Sequence, residues 1–507
     1  MKKFYYITTP IYYVNDKPHI GHAYTTLACD VLARFMRLDG FCVKFLTGTD
    51  EHGQKVEKAA LSAGMAPQAF VDKVSKNFRE LSEVMNFSND DFIRTTEARH
   101  KESAIALWNR LVEKGEIYLG HYAGWYSIRD EAFYTESELV NGKAPTGAEV
   151  QWTEEPSYFF RLSKWKNQLL DFYEKNPDFI APASRRNEVT SFVKGSLLDL
   201  SVSRTSFTWG IPVPYATGHV MYVWIEALSN YITAVGFPNT KSQEFKTFWP
   251  ANLHMVGKDI LRFHAVYWPA ILMAADLPLP KRIFAHGWWT NEGQKISKSL
   301  GNTIDPLALV KEYGLDPIRY FLLREVPFGN DGDFSKAALV QRINSQLAND
   351  LGNLIQRTVS MAYKNCGEAI PASHSLTPED QAFLQQAESL IESLRPLMNE
   401  QALHRALESI WQFVSYANRY VDYQAPWTLR KTDSQRMETV LYVLLEGIRH
   451  LAIYLQPFMP KSAAKALDLL GVDEACRTFE YVGPAGRLQS GSPLKEPSPL
   501  FPRYIES

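Results

Sequence analysis

The sequence predicts an α/β chain: a parallel sheet split by an inserted α+β module, followed by a C-terminal α-helical bundle. Three observations carry this reading. Short apolar runs at 4–8 and 42–47 flank a stretch of helical period. Between about 116 and 222 the texture changes, with aromatics alternating with polar residues. From about 340 onward apolar residues recur at three- and four-residue steps.

The elements follow in order. Phe4 to Thr8 is β-rich and leads to Pro10 and a polar loop. From His22 the apolar positions Leu27, Ala28, Val31, Leu32, Phe35 and Leu38 mark one helical face, which Gly40 stops. Cys42 to Thr47 is a second buried strand, and helical patterns resume at about 54–63, 67–85 and 99–114. Strand, helix, strand at this spacing starts a Rossmann-like parallel sheet with right-handed crossovers. After the insertion the rhythm returns, with a helix from Val223, a strand at His254–Val256, a helix from Ile260 and a strand at Arg282–Ala285. Three amphipathic stripes then make a bundle, starting at Val340, Leu403 and Met437. The expected units are therefore 1–115 and 223–325 for the two halves of the sheet domain, with 116–222 as the inserted connective module. Residues 326–339 link to a helical domain at 340–475, and 476–507 form a strap or tail.

Composition narrows the class. With 507 residues, 45% hydrophobic and 22% charged, the chain is neither collagen-like, low-complexity nor largely disordered. A formal charge of −2 gives no global positive field, so any nucleic acid must be bound by local chemistry. Cys29, Cys42, Cys366 and Cys476 make no C-x-x-C pair, which excludes a disulfide scaffold and a thiolate zinc site read from spacing. No leader-like segment and no apolar run of membrane-spanning length is seen, so the expected location is cytoplasmic, with no membrane partner.

Two constellations carry chemistry. His19-Ile-Gly-His22 follows a strand and loop and opens a helix. A helix N-terminus offers unpaired N–H groups and partial positive charge, Gly21 lets a nucleotide approach, and two imidazoles can donate to a phosphoryl group. The structural alternative is two histidines capping a helix. Far downstream, Lys295-Ile-Ser-Lys-Ser299 sits between glycines and offers two cations and two hydroxyls to a polyphosphate. Its alternative is an ordinary solvated loop. The pair decides between them, because both fall at the carboxyl edge of one parallel sheet, where open α/β folds bind ligands.

These residues resemble a known family. His19–His22 matches the HIGH signature of class I aminoacyl-tRNA synthetases, and Lys295–Ser299 matches their K-M-S-K-S signature with Ile at the second position. Pro10-Ile-Tyr-Tyr-Val-Asn-Asp-Lys-Pro-His-Ile-Gly-His22, Thr47-Gly-Thr-Asp-Glu-His-Gly53, Tyr222-Val-Trp-Ile-Glu-Ala-Leu228, Val256-Gly-Lys-Asp-Ile260 and Ala285-His-Gly-Trp288 resemble methionyl-tRNA synthetases, from about residue 4 to about 460. The resemblance implies a ligase that makes methionyl adenylate from methionine and ATP, then charges tRNA(Met), including the initiator form. Its catalytic residues would be His19, His22, Lys295 and Lys298. ATP would also meet Gly21, Ser297, Ser299 and Asp259, with Mg²⁺ sharing the phosphate charge. Methionine would meet Ile11, Tyr13, Asp50, Trp224, Ala227, Tyr231, Ile260 and His264, with Asp50 on its ammonium and Tyr231 and His264 offering weak polar contacts to its sulfur. Arg204 matches an arginine near the family's active centre.

Elsewhere the chain departs from many relatives. Ser127 and Asp130 stand where cysteine knuckles hold zinc, so no structural zinc or other protein-bound metal is expected. The insertion is too short for a hydrolytic editing domain. Residues 341–507 hold 16 Lys/Arg against 18 Asp/Glu, so tRNA recognition there must be specific. The resemblance assigns anticodon contacts to Asn353, Arg357 and Trp427 in the helical domain, with Trp427 stacking on a base. A monomer without an obligate protein partner is expected. The competing readings are another class I synthetase, a non-catalytic tRNA-binding paralogue, and a nucleotidyltransferase that makes a small-molecule adenylate.

Overall fold

In the computed structural model, residues 2–14, 17–195, 197–296 and 302–505 are described. Its main sheet is built from runs that are buried mainly toward their carboxyl ends, as in Lys3–Thr8 and Phe41–Asp50. The strand order is Tyr12–Tyr13, Phe41–Asp50, Lys3–Thr8, Leu253–Gly257, Ile283–His286 and Ile180–Ala181, with Asp91–Arg94 pairing Phe41–Asp50 off that path. The pairings of Ile7 with Leu253, His254 with Ile283, Leu46 with Asp91 and Tyr12 with Thr49 are all parallel. A parallel sheet needs both faces covered, which explains why these strands are near-continuously apolar rather than alternating. Strands from the first part of the chain lie on one side of Lys3–Thr8, and strands from after the insertion lie on the other. The connections therefore change direction between Lys3–Thr8 and Leu253–Gly257, and the carboxyl ends of those two strands flank the crevice where such folds bind ligands.

Two compact units emerge, one of Phe4–Cys29 with Lys44–His286, the other of Met1–Lys3, Asp30–Val43 and Gly287–Ser507. The first holds the sheet crevice and the insertion. Within the insertion, Ala132–Tyr134, Ile117–Ser127, Gln151–Phe160 and Leu200–Ser201 form an antiparallel sheet. Alternation explains its texture: Trp125 pairs with Trp152, their rings edge to face at 5.4 Å. Ile180–Ala181, inside the stretch read as an insertion, pairs parallel with Ile283–His286 at the main sheet's edge. Two residues are too few to carry a periodic signal. Where relatives place a knuckle, Asp130 accepts hydrogen bonds from Tyr134 (3.1 Å), Thr146 and Arg129 (3.1 Å), and Arg129 also reaches the Thr146 carbonyl (2.9 Å). Arg204 is fully buried, ion-paired to Glu155, with its guanidinium 4.0 Å from the Tyr126 ring centre. It holds the insertion together.

The second unit is mainly helical. The first expected stripe falls on the helical run Lys336–Arg342, Ile343–Gly352 and the start of Asn353–Asn365, and the other two on Leu403–Gln424 and Ser434–Leu455; Pro378–Asn399 and Pro460–Leu469 join them. Pro378–Asn399 begins with a capping box between Thr377 and Asp380. Asp380 also takes Arg436 (2.5 and 2.8 Å) and Tyr420 (2.5 Å), tying three helices at one carboxylate. Residues 476–505 are a strap rather than a loose tail: the Leu488 N–H donates to Glu446 (2.5 Å), and Arg449 donates to the Tyr481 carbonyl (2.7 Å).

One buried ion pair fastens the unit's parts. Arg319, in the helix Leu315–Arg324, donates to Asp30 (2.6 Å) and to the carbonyls of Pro457 (2.8 Å) and Phe458 (2.9 Å), and both charged side chains are fully buried. Asp30 lies in the second half of the helix Ile20–Leu38. Arg319→Leu leaves two buried carbonyls without this donor, while Asp30 keeps Arg34 Nε at 2.8 Å, so it should cost about 2–3 kcal/mol of stability. Urea unfolding measures this; a loss below about 1 kcal/mol would show that those groups find other partners.

Candidate active site

The helix Ile20–Leu38 starts at the carboxyl edge of the sheet, and its first turn is capped by imidazoles. The Gly21 N–H donates to His19 Nδ1 at 3.1 Å, and the His19 N–H donates to His22 Nδ1 at 3.0 Å. This is a capping box in which two histidines replace Ser/Thr and Glu. Each Nδ1 acts as an acceptor, so in the neutral ring the hydrogen sits on Nε2. The capping role and the phosphate-donor role therefore use opposite nitrogens of the same rings. The two rings lie 3.9 Å apart, and His22 is braced edge-on by Tyr12 (4.8 Å) and Phe78 (5.3 Å). A Cβ on Gly21 would meet the His19 ring at 2.9 Å, so glycine is what lets that ring fold back.

One turn on, Thr25 donates to the Gly21 carbonyl (3.0 Å), which leaves its oxygen to accept from His286 Nε2 (2.7 Å). His286 ends the strand Ile283–His286 and stands edge-on to Tyr24 at 5.2 Å, joining the Ala-His-Gly-Trp segment to the helix start. Asp259 is exposed, in a short turn after Leu253–Gly257 at the same sheet edge.

The strand Phe41–Asp50 delivers Asp50 into a buried acidic cluster. Burial, with the Glu226 and Glu131 carboxylates beside it, holds the Asp50 proton well above the ordinary carboxylate range. Glu131 comes from the insertion, with φ at 47°, and its Oε1 accepts the Lys55 N–H at 3.3 Å. Gly53, at φ 103°, leaves room for it, since a Cβ there would lie 2.7 Å from that oxygen. Glu226 binds His52 Nδ1 at 2.7 Å. Asp50 Oδ1, Glu131 Oε2, Glu226 Oε2 and the Tyr13 hydroxyl are all buried without a hydrogen-bond partner among the described residues. Buried carboxylates in this number call for a cation. Among the described residues no group of three or more His, Cys, Asp and Glu is placed to hold a metal ion.

Beside it is an aromatic pocket. Trp224 stacks on Phe263 (3.7 Å, 9°) and meets Tyr13 edge-on at 6.3 Å. Ala227 and Tyr231 are buried, and Ile11 and Ile260 are partly exposed in the same core. A wide helical turn over Phe263–Tyr267 carries His264, whose Nδ1 lies 2.9 Å from the Ile260 carbonyl and whose Nε2 lies 2.7 Å from the Tyr231 hydroxyl. Burial pushes the His264 pKa down to about 4, so the ring is neutral. Its single hydrogen goes to Ile260 and the Tyr231 hydrogen goes to His264. The expected polar contacts from these two residues to a thioether sulfur would therefore have no hydrogen left to use.

Glu131, Glu226, His52, Phe263 and His286 were not among the residues singled out from sequence. An acid inside Val-Trp-Ile-Glu-Ala-Leu, otherwise apolar, was a readable signal for Glu226. Glu131 carried none, because only the fold brings it to Asp50. Of the cationic loop, the backbone of Lys295 pairs with Thr290, and Ser297, Lys298 and Ser299 lie outside the described residues. In the helical unit, Asn353 is exposed and bonds Asn349 (3.3 Å), while Arg357 reaches Asp422 and Asn418 (3.2 Å each). Trp427 is exposed in the helix Pro426–Thr432.

This arrangement is that of an adenylate-forming class I synthetase, and comparison with known proteins agrees. The family model described as class I tRNA synthetases (M) matches residues 5–151 and 138–359, and the anticodon binding domain of methionyl tRNA ligase matches 370–506. Methionine–tRNA ligases of Rickettsia felis and Rhizobium meliloti are 58% and 56% identical, covering 99% of this chain and 99% and 98% of their own. A Mycobacterium tuberculosis methionyl-tRNA synthetase structure in complex with methionyl-adenylate superposes with a TM-score of 0.96 at 53% identity, covering 99% of this chain and all of that one. The chain belongs to the methionyl-tRNA synthetase family of class I aminoacyl-tRNA synthetases.

The split use of the imidazoles can be tested. Asparagine caps helices well but has no group at the Nε2 position. His19→Asn should hold the melting temperature near wild type while slowing the ATP-dependent step by about 100-fold or more. His19→Ala should lose both the cap, about 1 kcal/mol, and the rate.

Proposed function

We propose that this chain joins methionine to its tRNA in two steps at the crevice built above. The methionine carboxylate attacks the α-phosphorus of ATP, giving methionyl adenylate as pyrophosphate leaves. A ribose hydroxyl of the tRNA's 3′-terminal adenosine then attacks the carbonyl carbon, and AMP leaves as the hydroxyl proton is lost. The observation that carries this reading is the adjacency of a phosphate-facing pair of imidazoles and a buried, acid-ended aromatic pocket. The first suits a phosphoryl group and the second suits an apolar α-amino acid.

The roles follow from the chemistry. The His19 and His22 Nε2 hydrogens meet the oxygens of the α-phosphate as charge gathers there. Asp50 takes the ammonium and so fixes where the carboxylate points, with Glu131 and Glu226 deepening the negative field. Trp224, Phe263, Tyr13 and Ala227 enclose the side chain. Lys295 and Lys298 neutralise the departing pyrophosphate, and Mg²⁺ arrives as the counter-ion of the ATP phosphates. Asn353, Arg357 and Trp427 read the anticodon loop. No helix among the described residues is long and apolar enough to cross a membrane.

Amino-acid-dependent ATP–pyrophosphate exchange with methionine, leucine, isoleucine, valine and cysteine tests this. Exchange with methionine alone is expected; exchange with another amino acid instead would keep the mechanism and overturn the pocket. Asp50→Asn should raise KM for methionine about 10- to 100-fold, the scale of one charge-assisted hydrogen bond, with KM for ATP little changed.

A further inference from the structure

The helical unit exposes a second large aromatic beside Trp427. Tyr423 is 80% exposed and Trp427 47% exposed. Among the described residues Tyr423 makes no hydrogen bond and no ring contact. It differs in this from exposed Trp152, which packs on Trp125 and donates to Glu154. A single exposed ring needs no explanation of its own, and Tyr215 is more exposed still; what sets Tyr423 apart is its place four residues before Trp427 in the stretch that matches an anticodon-binding domain.

The local geometry fixes where that ring stands. Tyr423 lies in the last turn of Leu403–Gln424. Ala425 then turns the chain through a left-handed conformation (φ 42°, ψ 59°), and Pro426 starts the helix that carries Trp427. The turn is held from inside, where Arg436 donates to Gln424 at 2.8 Å. The preceding residue, Asp422, bonds Arg357 on the neighbouring helix. Tyr423 is thus next in sequence to Asp422, the partner of the candidate base-edge reader Arg357, and four residues before Trp427, the candidate stacking residue. Arg419, one turn back on the same helix, is exposed, as are Arg430 and Lys431 at the end of the next one. Cations around a pair of unused rings suit a single-stranded, phosphate-linked run of bases, even though the whole domain carries no net positive charge.

We propose that Tyr423 is a second stacking platform for the tRNA anticodon loop, engaging an unstacked base next to the one held by Trp427. The proposal rests on the reading of this face as the anticodon site. Stacking needs only the ring, so its hydroxyl is dispensable. Tyr423 is remote in sequence from the residues of amino-acid activation and belongs to the other compact unit. Its substitution leaves pyrophosphate exchange unchanged.

The test is aminoacylation kinetics on Tyr423→Ala, Tyr423→Phe and Trp427→Ala, with methionine-dependent pyrophosphate exchange as the control. Tyr423→Ala should raise KM for tRNA about tenfold, within the range measured for loss of one base–aromatic stack, with kcat nearly unchanged. Tyr423→Phe should restore wild-type KM. Equal loss in the Phe variant would assign the contact to the hydroxyl and overturn stacking. An unchanged Tyr423→Ala with a defective Trp427→Ala would overturn this proposal alone. If both alanine variants charge tRNA normally, the anticodon face itself is misplaced. A fall in pyrophosphate exchange for Tyr423→Ala would mark a structural role and also overturn it.

Discussion

A helix that begins at a sheet edge leaves several backbone N–H groups without partners, and how it satisfies them constrains everything built there. Here two of those bonds end on imidazole Nδ1 atoms, at 3.1 and 3.0 Å. That fixes the tautomer, the tilt and the direction of both rings before any ligand arrives. A flexible donor would have to be ordered during the reaction. These donors are ordered by folding, through the same bonds that stabilise the helix start. Thr25 and His286 extend the arrangement to the next strand, so the site inherits the rigidity of the sheet.

The neighbouring pocket works by a different logic. Its acids are buried and incompletely bonded, which costs stability in the free protein and would be offset by a positive group there. The proposed pocket thus has an acidic end and an aromatic end. Trp224 and Phe263, stacked at 3.7 Å, give the apolar end flat walls rather than a deep aliphatic slot. The neutral His264–Tyr231 pair has both of its hydrogens committed, to each other and to the Ile260 carbonyl, and so offers none to a neighbour.

Much of this was legible from the chain, and the failures are instructive. The first strands and the helix between them follow from apolar runs and period, because burial on both sides leaves a strong signature. The His-Ile-Gly-His helix start was readable because glycine and histidine are unusual there. Glu131 was not, since its approach to Asp50 depends on a left-handed backbone inside the insertion and on the missing side chain of Gly53. Likewise, no pattern contains the bonds that already take up the hydrogens of Tyr231 and His264. The Ile260 carbonyl takes the hydrogen they would have needed. Residue types announce which chemistry is available; the bonds already made decide which part of it is left.

The tip of the insertion deserves a different kind of reading. Asp130, Thr146, Arg129 and Tyr134 close it with hydrogen bonds where the resemblance looked for cysteine thiolates. A thiolate clasp ties a protein's maturation to the supply of a metal and to a reducing environment, because oxidation of one sulfur opens it. This clasp is complete as soon as the chain folds. The segment that carries Glu131 is thereby set by bonds between side chains and backbone of the chain itself.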